Sequence, residues 1–498
     1  MTKLSNRYIH SISIETTKQC NLRCKYCYLT QCGEEPKGRY SNLHMSLETG
    51  RAVVDFLFNN SPDKGNCGIC FIGGEPLLNW ELIEDLVEYG KKIFKNPKKK
   101  LRFSITTNGL ALTEERIQYI LKNKMGMTLD FDGLKNIQDK LRPLASQKGS
   151  YDKTVANFEA IRRLKGSLSS QFTIRATVTR NELDLIKIAD SIEALGFTHC
   201  ALTPVTASDE TQDFAIKEED VPLLLSYYTA LADRFYERIV AGKHEPVSWF
   251  HKFLRRILYS QKFNVACGGG RGYIGVSVDG GCYICHRFFG AESGYMGNIR
   301  ESLDRSFTEK IESSKIDDRS ECGKCWAKRY CGGPCYFEAD FHHQDFFTPN
   351  PIYCAIIRHS IQESFKLYSK LLKNHPEIIE KMISLRKNIQ PDRFSIQSCQ
   401  QNANDESLLP DSARPVQRNG VQFHSVDDEL LLYDAESQHV STVNQSAKAI
   451  WDYCDGQNDI LTISERLTEQ FDCNPADIFP DVCRAINHFE KIGFVELT

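Results

Sequence analysis

Over the first 205 residues, short apolar runs alternate with stretches whose apolar positions recur every three or four residues. The runs at 9–15, 69–72, 102–106, 127–131, 172–178 and 200–203 predict β-strands. Between them the spacing predicts helices at 46–60, 81–94, 113–122, 153–164 and 183–195; in the first, Ala52, Val53, Phe56 and Leu57 share one face. Such alternation builds a parallel sheet with helices packed outside it. The expected fold class is therefore α/β, with a partial (β/α)6 barrel over residues 1–215. In such folds the loops at the C-terminal ends of the strands carry the chemistry.

Residues 216–265 read as a helical bridge. Residues 266–372 are rich in cysteine and poor in periodicity, so little regular structure is expected there and folding around metal is. Residues 373–415 are polar, most of all at 400–406, and read as a linker. The last segment, 416–498, predicts short strands at 421–424, 430–433 and 439–443, then helices at 447–453, 462–471 and 481–492. Val482, Ile486 and Phe489 line one face of the last helix, and Gly493 ends it. Strands followed by helices are the pattern of an α+β domain.

Composition sharpens the division. A hydrophobic content of 41% with 26% charged residues describes a soluble globular chain. Residues 411–498 hold 6 Lys/Arg against 16 Asp/Glu, a net of −10, so the preceding 410 residues carry about +7 of the total of −3. That asymmetry marks the C-terminal segment as a separate module and argues against nucleic acid as its partner, since phosphate contacts need basic surface. No apolar run approaches the roughly 18 residues that would span a bilayer, so no membrane partner is expected. Met1–His10 is polar and is not a signal segment, so a cytoplasmic location is expected. In a reducing compartment 19 cysteines, clustered at 20–27 and 267–354, point to metal rather than disulfides.

The first cluster, Cys20-Asn-Leu-Arg-Cys24-Lys-Tyr-Cys27, follows the first predicted strand. Three thiolates on one loop can hold three irons of a [4Fe–4S] cube and leave the fourth open to a ligand. A structural zinc site wants four closed ligands, and no fourth with zinc-like spacing follows. The motif resembles the signature of the radical S-adenosylmethionine (SAM) superfamily, and the resemblance covers most of the first 205 residues. It implies SAM as cofactor and its cleavage to a 5′-deoxyadenosyl radical that abstracts hydrogen from substrate. By the same resemblance Tyr26 lies near the adenine, and Gly73, Gly74 and Glu75 of Phe71-Ile-Gly-Gly-Glu-Pro76 meet the methionine end, the glycines letting backbone approach it. Thr106-Thr-Asn108-Gly109 and Leu129-Asp130-Phe-Asp132-Gly133 resemble segments that line the cofactor pocket. Asp-Phe-Asp-Gly stands where Asp-Gly is commoner, which leaves the assignment open between Asp130 and Asp132. Arg175 either meets the SAM carboxylate or forms a salt bridge within the barrel.

In the second cluster twelve residues and Gly280 separate Cys267 from the four residues before Cys285; Cys322, Cys325, Cys331, Cys335 and Cys354 follow. This series resembles the SPASM domain of peptide-modifying radical SAM enzymes, with two zinc ribbons as the competing reading. The resemblance implies two auxiliary [4Fe–4S] clusters and three in all. Cys322, Cys325, Cys331 and Cys354 would hold one, and Cys267, Cys285 and Cys335 the other. Cys282 is the nearest candidate for the missing fourth ligand, although Cys282 and Cys285, three apart on a predicted strand, should point to opposite faces. Cys67 and Cys70 are a candidate redox pair or two small buried hydrophobes.

Residues 416–498 resemble PqqD-like RiPP recognition elements, with Thr442-Val-Asn444-Gln-Ser-Ala447 and Ile450-Trp451 at the strand-to-helix junction. That resemblance implies a winged-helix-like α+β domain and a leader peptide added to the strand edge at 439–443, against the helix at 481–492. Together the resemblances imply an oxidoreductase that matures a ribosomally made precursor peptide, with cysteine thioether cross-linking the expected reaction. Carbon–carbon or ether cross-linking, epimerisation, or formylglycine formation of the sulfatase-maturase type are alternatives, and an iron–sulfur electron carrier or peptide chaperone is the non-enzymatic one. The implied partners are the precursor and an electron donor such as flavodoxin or ferredoxin. No catalytic base is assigned.

Overall fold

A computed structural model of the chain describes residues 8–31, 43–95, 98–165, 171–206, 209–259, 263–384, 409–410, 412–426, 429–434, 440–443, 445–471 and 475–498. They form two compact units, one of residues 1–252, 263–324 and 331–360, the other of residues 253–262, 325–330 and 361–498.

In the first unit six parallel strands, β1 (Ser11–Glu15), β2 (Gly65–Ile72), β3 (Lys99–Thr107), β4 (Gly126–Asp130), β5 (Phe172–Val178) and β6 (Cys200–Pro204), lie in sequence order. The helices between them include Leu47–Asn60, Trp80–Ile93, Glu114–Lys122, Tyr151–Lys165 and Leu185–Ala194, matching the five expected. Local chemistry starts them: the Ser46, Thr113 and Asp184 side chains accept amide hydrogens of their first turns. An additional short helix, Lys135–Leu141, follows β4.

Side-chain alternation along these strands separates two environments. Ile69, Phe71, Phe103, Ile105, Met127, Leu129, Phe172 and Ile174 are buried, while the residues between them, Cys70, Ser104, Thr106, Thr128, Asp130, Thr173 and Arg175, are half-buried. The parallel register puts Cys70 beside Ser104, Thr106 beside Thr128, and Asp130 beside Arg175. The apolar set faces the helix layer. A parallel sheet covered on both faces reads as continuous apolar strands; a polar second face marks the concave interior of a partial barrel. Cys67 is buried and Cys70 belongs to the polar set, so the two thiols leave β2 on opposite faces and do not form a redox pair.

The cysteine-rich segment departs from expectation. It joins the barrel sheet through β7 (Tyr273–Val276), which pairs with β1 in parallel, Ser11 beside Tyr273 and Ile14 beside Val276. β8 (Gly281–Tyr283) and β9 (Tyr295–Asn298) follow antiparallel. Strands of three or four residues carry too little periodicity to be read from sequence. Helix Pro351–Asn374 then extends past residue 372, and helix Pro376–Ser384 occupies the start of the expected linker. The linker from 385 to 408 lies outside the described residues. Residues 216–265 contain the helices Val221–Val240 and Trp249–Leu258.

In the second unit, β10 (Pro415–Gln417) pairs with the terminal strand β14 (Val495–Leu497), a pairing the sequence reading missed. β11 (Val421–Val426), β12 (Glu429–Asp434) and β13 (Val440–Val443) form an antiparallel sheet with β12 in the centre, so β13 is an edge. Helices Gln445–Asp452, Ile460–Phe471 and Pro475–Lys491 cover it. Residues 439 and 444 of the expected edge and junction motif lie outside the described residues. Trp451, Ile463, Leu467, Ile486, Phe489 and Phe494 form the core, the Trp451 and Phe489 rings 5.3 Å apart edge to face. Tyr433 of β12 stacks on Tyr330 and Phe365 of the same unit, at 5.2 and 5.1 Å between ring centres. Among the described residues no helix is long and apolar enough to cross a membrane.

Trp451→Ala empties the centre of this core, and about 3–5 kcal/mol of local stability should go with it. Hydrogen exchange is expected to rise across Ile460–Phe471 and Pro475–Lys491 but not in β1–β6; unchanged exchange would remove Trp451 from the core.

Candidate functional site

The loop after β1 carries Cys20, Cys24 and Cys27. It is laid against one strip of chain: the Arg23 and Lys25 amides donate to the Pro143 and Leu141 carbonyls at 2.8 Å, and the Ala145 amide to the Asn21 carbonyl at 3.0 Å. The thiols lie close enough to feel one another, Cys24 sensing Cys27 and Cys20, and Cys20 sensing Cys27. Burial pushes the Cys20 thiol up to about 12 and Cys24 higher, so thiolates here need a positive partner. Arg142 supplies some of that charge: it works against burial at Cys24, and its Nε is buried without a hydrogen-bond partner. Among the described residues no three His, Cys, Asp or Glu side chains converge on a single ion. A cube of four irons takes one thiolate per iron, so its ligands stand farther apart than the four around a zinc. The donor set and the adjacent guanidinium fit an anionic [4Fe–4S] cluster.

Gly73 and Gly74 have a structural reason beyond the one expected. A Cβ on Gly73 would stand 2.4 Å from the Thr17 carbonyl oxygen, and one on Gly74 2.3 Å from that of Gln19. The amides of Gly74 and Glu75 donate to those same two carbonyls at 2.8 Å. The glycines thus let the loop after β2 lie directly on the chain that enters the cysteine loop. The Glu75 carboxylate is buried and accepts from Thr107 Oγ1 at 2.6 Å, the Asn108 amide at 2.8 Å and the Leu77 amide at 3.1 Å. Burial nevertheless pushes it up to about 7. It is a strut between the ends of β2 and β3. Asn108 ties β3 to the cysteine loop through Asn21 Oδ1 at 2.7 Å, and Thr106 lies 3.9 Å from the Cys70 sulfur.

Tyr26 is held by two groups. Its hydroxyl donates to Asp132 Oδ2 at 2.5 Å and accepts from Arg142 Nη1 at 2.9 Å. Asp132 also accepts from the Thr177 amide at 3.1 Å, and burial raises its carboxyl above the usual range. Asp132 is therefore a support for Tyr26, whereas Asp130 faces Arg175 in a two-pronged ion pair at 2.8 and 2.9 Å. The Arg175 and Asp130 side chains keep 40% and 21% of their surface accessible although strands surround them, so they border the barrel interior. Arg175 makes the salt bridge within the barrel.

Cys267, Cys285 and Cys335 form a second group. Cys285 senses Cys335 and Cys267, and Cys267 senses Cys335. Cys282 is not among the groups that Cys285 and Cys267 sense. It is fully buried on β8, its thiol donates to the Gly280 carbonyl at 3.8 Å, and Asp279 is its charged neighbour. Strand alternation is the reason. Among the described residues the thiols of Cys267, Cys285 and Cys335 sense one another here. Beside them the Tyr336 hydroxyl and Arg271 Nε are buried without partners, and Tyr336 senses Cys267 and Cys335. Arg287 donates from Nη1 to the Cys335 sulfur at 3.5 Å. Buried donors lacking acceptors suit an anionic, sulfur-rich group. Of the remaining ligand candidates, Cys322, Cys331 and Cys354 lie in the first unit, on helices Ser320–Gly323, Lys328–Cys331 and Pro351–Asn374, and Cys325 lies in the second.

Sequence reasoning missed Arg142, Arg271, Arg287 and Tyr336. Adjacency to cysteines could have flagged Arg287 and Tyr336; nothing local could have flagged Arg142, which reaches the cysteine loop only through the fold.

Residues 14–192 match the Radical SAM superfamily, and residues 429–495 match Coenzyme PQQ synthesis protein D (PqqD). A cysteine-type anaerobic sulfatase-maturating enzyme of Clostridium novyi (strain NT) is 24% identical over 331 residues, 64% of this chain and 85% of that one. The radical SAM cyclopropyl synthase TigE of Paramaledivibacter caminithermalis is 21% identical over 66% of this chain and 68% of its own. Among solved structures, native anSMEcpe with bound AdoMet superposes with a TM-score of 0.61 at 23% identity, covering 76% of this chain and 100% of that one.

Two expectations follow for the reconstituted chain. Cys335→Ser lowers bound iron by as much as one cluster and Cys282→Ser leaves it unchanged; equal losses would return Cys282 to the ligand set. Gly74→Ala, which drives a methyl into the Gln19 carbonyl, abolishes loading at Cys20, Cys24 and Cys27, read as lost SAM-dependent change in the cluster's electron paramagnetic resonance (EPR) signal.

Proposed function

We propose that this chain, which carries a radical SAM domain and a C-terminal PqqD domain (a RiPP recognition element), matures a ribosomally made precursor peptide by joining a cysteine sulfur to a carbon of the same peptide. The observation that carries the reading is the presence, in one chain, of a three-thiol auxiliary group and a leader-binding type of module with an open strand edge at β13.

Each part of the chain has a task in this reading. The β13 edge receives the leader as an added strand, with backbone pairing for affinity and side-chain pockets for specificity. Tethering then raises the effective concentration of the core peptide at the barrel. Cys20, Cys24 and Cys27 hold the cluster, whose chemistry with SAM is to supply a 5′-deoxyadenosyl radical. The Tyr26–Asp132–Arg142 network fixes the loop that carries these cysteines, and the Asp130–Arg175 pair presents a fixed charge pattern to the cofactor inside the barrel. Cys267, Cys285 and Cys335 hold an auxiliary cluster with one iron left for a substrate thiolate, and a second auxiliary cluster falls to the remaining cysteines of the SPASM-like series. A flavodoxin or ferredoxin is the expected reductant.

Formylglycine formation is the second reading, favoured by the likeness to a sulfatase-maturating enzyme. His286 stands after Cys285 where such enzymes typically carry aspartate, which weighs against it.

Reconstituted protein given SAM and dithionite should release 5′-deoxyadenosine, and with the precursor should yield a peptide lacking two hydrogens and one alkylatable thiol. No nucleoside release would leave an electron carrier or chaperone. A chain truncated at residue 405 should lose most precursor modification; if it matches the full chain, the leader role of the C-terminal module falls.

A further inference from the structure

Arg287 touches both the second thiol group and the mouth of the barrel. Its Nη1 donates to the Cys335 sulfur at 3.5 Å, and its Nη2 to Thr206 Oγ1, just beyond β6, at 2.6 Å. The guanidinium lies over the ring of Phe337 at 4.5 Å and that of Tyr28, the residue after Cys27, at 5.5 Å. Among the described residues the carboxylate within ion-pair distance of it is Glu338, at a loose 3.7 Å. Its side chain is 21% exposed, so water screens the charge weakly. Arginine keeps this charge at any working pH.

A positive charge and an N–H donor at a cluster's cysteine sulfur stabilise the more negative, reduced state and so raise the reduction potential. Glu338 works in the other direction by offsetting part of the guanidinium charge. We propose that Arg287 is a positioning residue that raises the reduction potential of the cluster held by Cys267, Cys285 and Cys335 and fixes that site to the barrel mouth through Thr206 and Tyr28. This rests on the auxiliary-cluster reading given above. The stacking on Phe337 and the bond to Thr206 leave the guanidinium one orientation, with its fork toward Cys335. Lysine, a point charge without the fork, would keep the field but lose the directed bond.

The test is an EPR-monitored redox titration of the reconstituted full chain with Cys20, Cys24 and Cys27 replaced by alanine, so that only auxiliary signals remain. Arg287→Gln should move one of the two midpoint potentials to more negative values and leave the other in place. Arg287→Lys should move the same signal less, and Glu338→Gln should move it the opposite way. If neither potential moves in Arg287→Gln and Glu338→Gln, or if both signals move together, the proposal is overturned. Should Arg287→Gln lose iron, Glu338→Gln, which retains the arginine, decides alone. If the parent chain without the first three cysteines binds no reducible cluster, the auxiliary-cluster reading fails and this proposal with it; bound clusters with unmoved potentials sink this proposal only.

Discussion

Asp130 and Arg175 face each other because the parallel register of β4 and β5 sets them side by side, and alternation along each strand turns both to the inner face. The same two constraints act across the whole barrel sheet. They send Phe71, Ile105, Leu129 and Ile174 to the helix layer and keep threonines, Asp130 and Arg175 inside. A sheet that buries apolar side chains on one face only can afford a polar cavity on the other. The interior is thus a consequence of register, and the cysteine loop sits at the end of it because loops follow the C-terminal ends of parallel strands.

Backbone contact then fixes that loop. The two glycines after β2 meet the chain before Cys20 with no room for a Cβ, while the 141–145 segment holds it from the other side. Side-chain links from Asn108 and from the Tyr26–Asp132–Arg142 network complete the cage. These contacts come from β2, β3 and the segment after β4, so the three thiols are placed by most of the barrel and not by their own loop. Fixing ligands before the ligated group arrives lowers the cost of binding it.

Both described thiol groups have an arginine beside them: Arg142 at Cys24 and Arg287 at Cys335. Buried thiolates are costly to form, and an iron–sulfur cluster held by them carries net negative charge, so a fixed guanidinium favours both. The C-terminal module, residues 411–498, carries a net charge of −10 instead. Its edge strand and helices suit a peptide, and its Tyr433 packs on Tyr330, between Cys325 and Cys331, and on helix residue Phe365.

The six barrel strands and the helices between them were legible because long periodic runs report burial directly. The cysteine loop after β1 was legible from spacing, the grouping of Cys267, Cys285 and Cys335 came from the resemblance their series carries, and strand parity set Cys282 and Cys285 facing apart. What the sequence could not supply was contact between distant segments. The pairing of β7 with β1, the seating of Gly73 and Gly74 on the cysteine loop, the division of labour between Asp130 and Asp132, and the reach of Arg142 to Cys24 each join residues many positions apart. The sequence by itself determined which residues can be strands, helices and ligands, since those properties are local. Only the tertiary structure decided which of them meet, because register and close packing are set by the whole sheet at once.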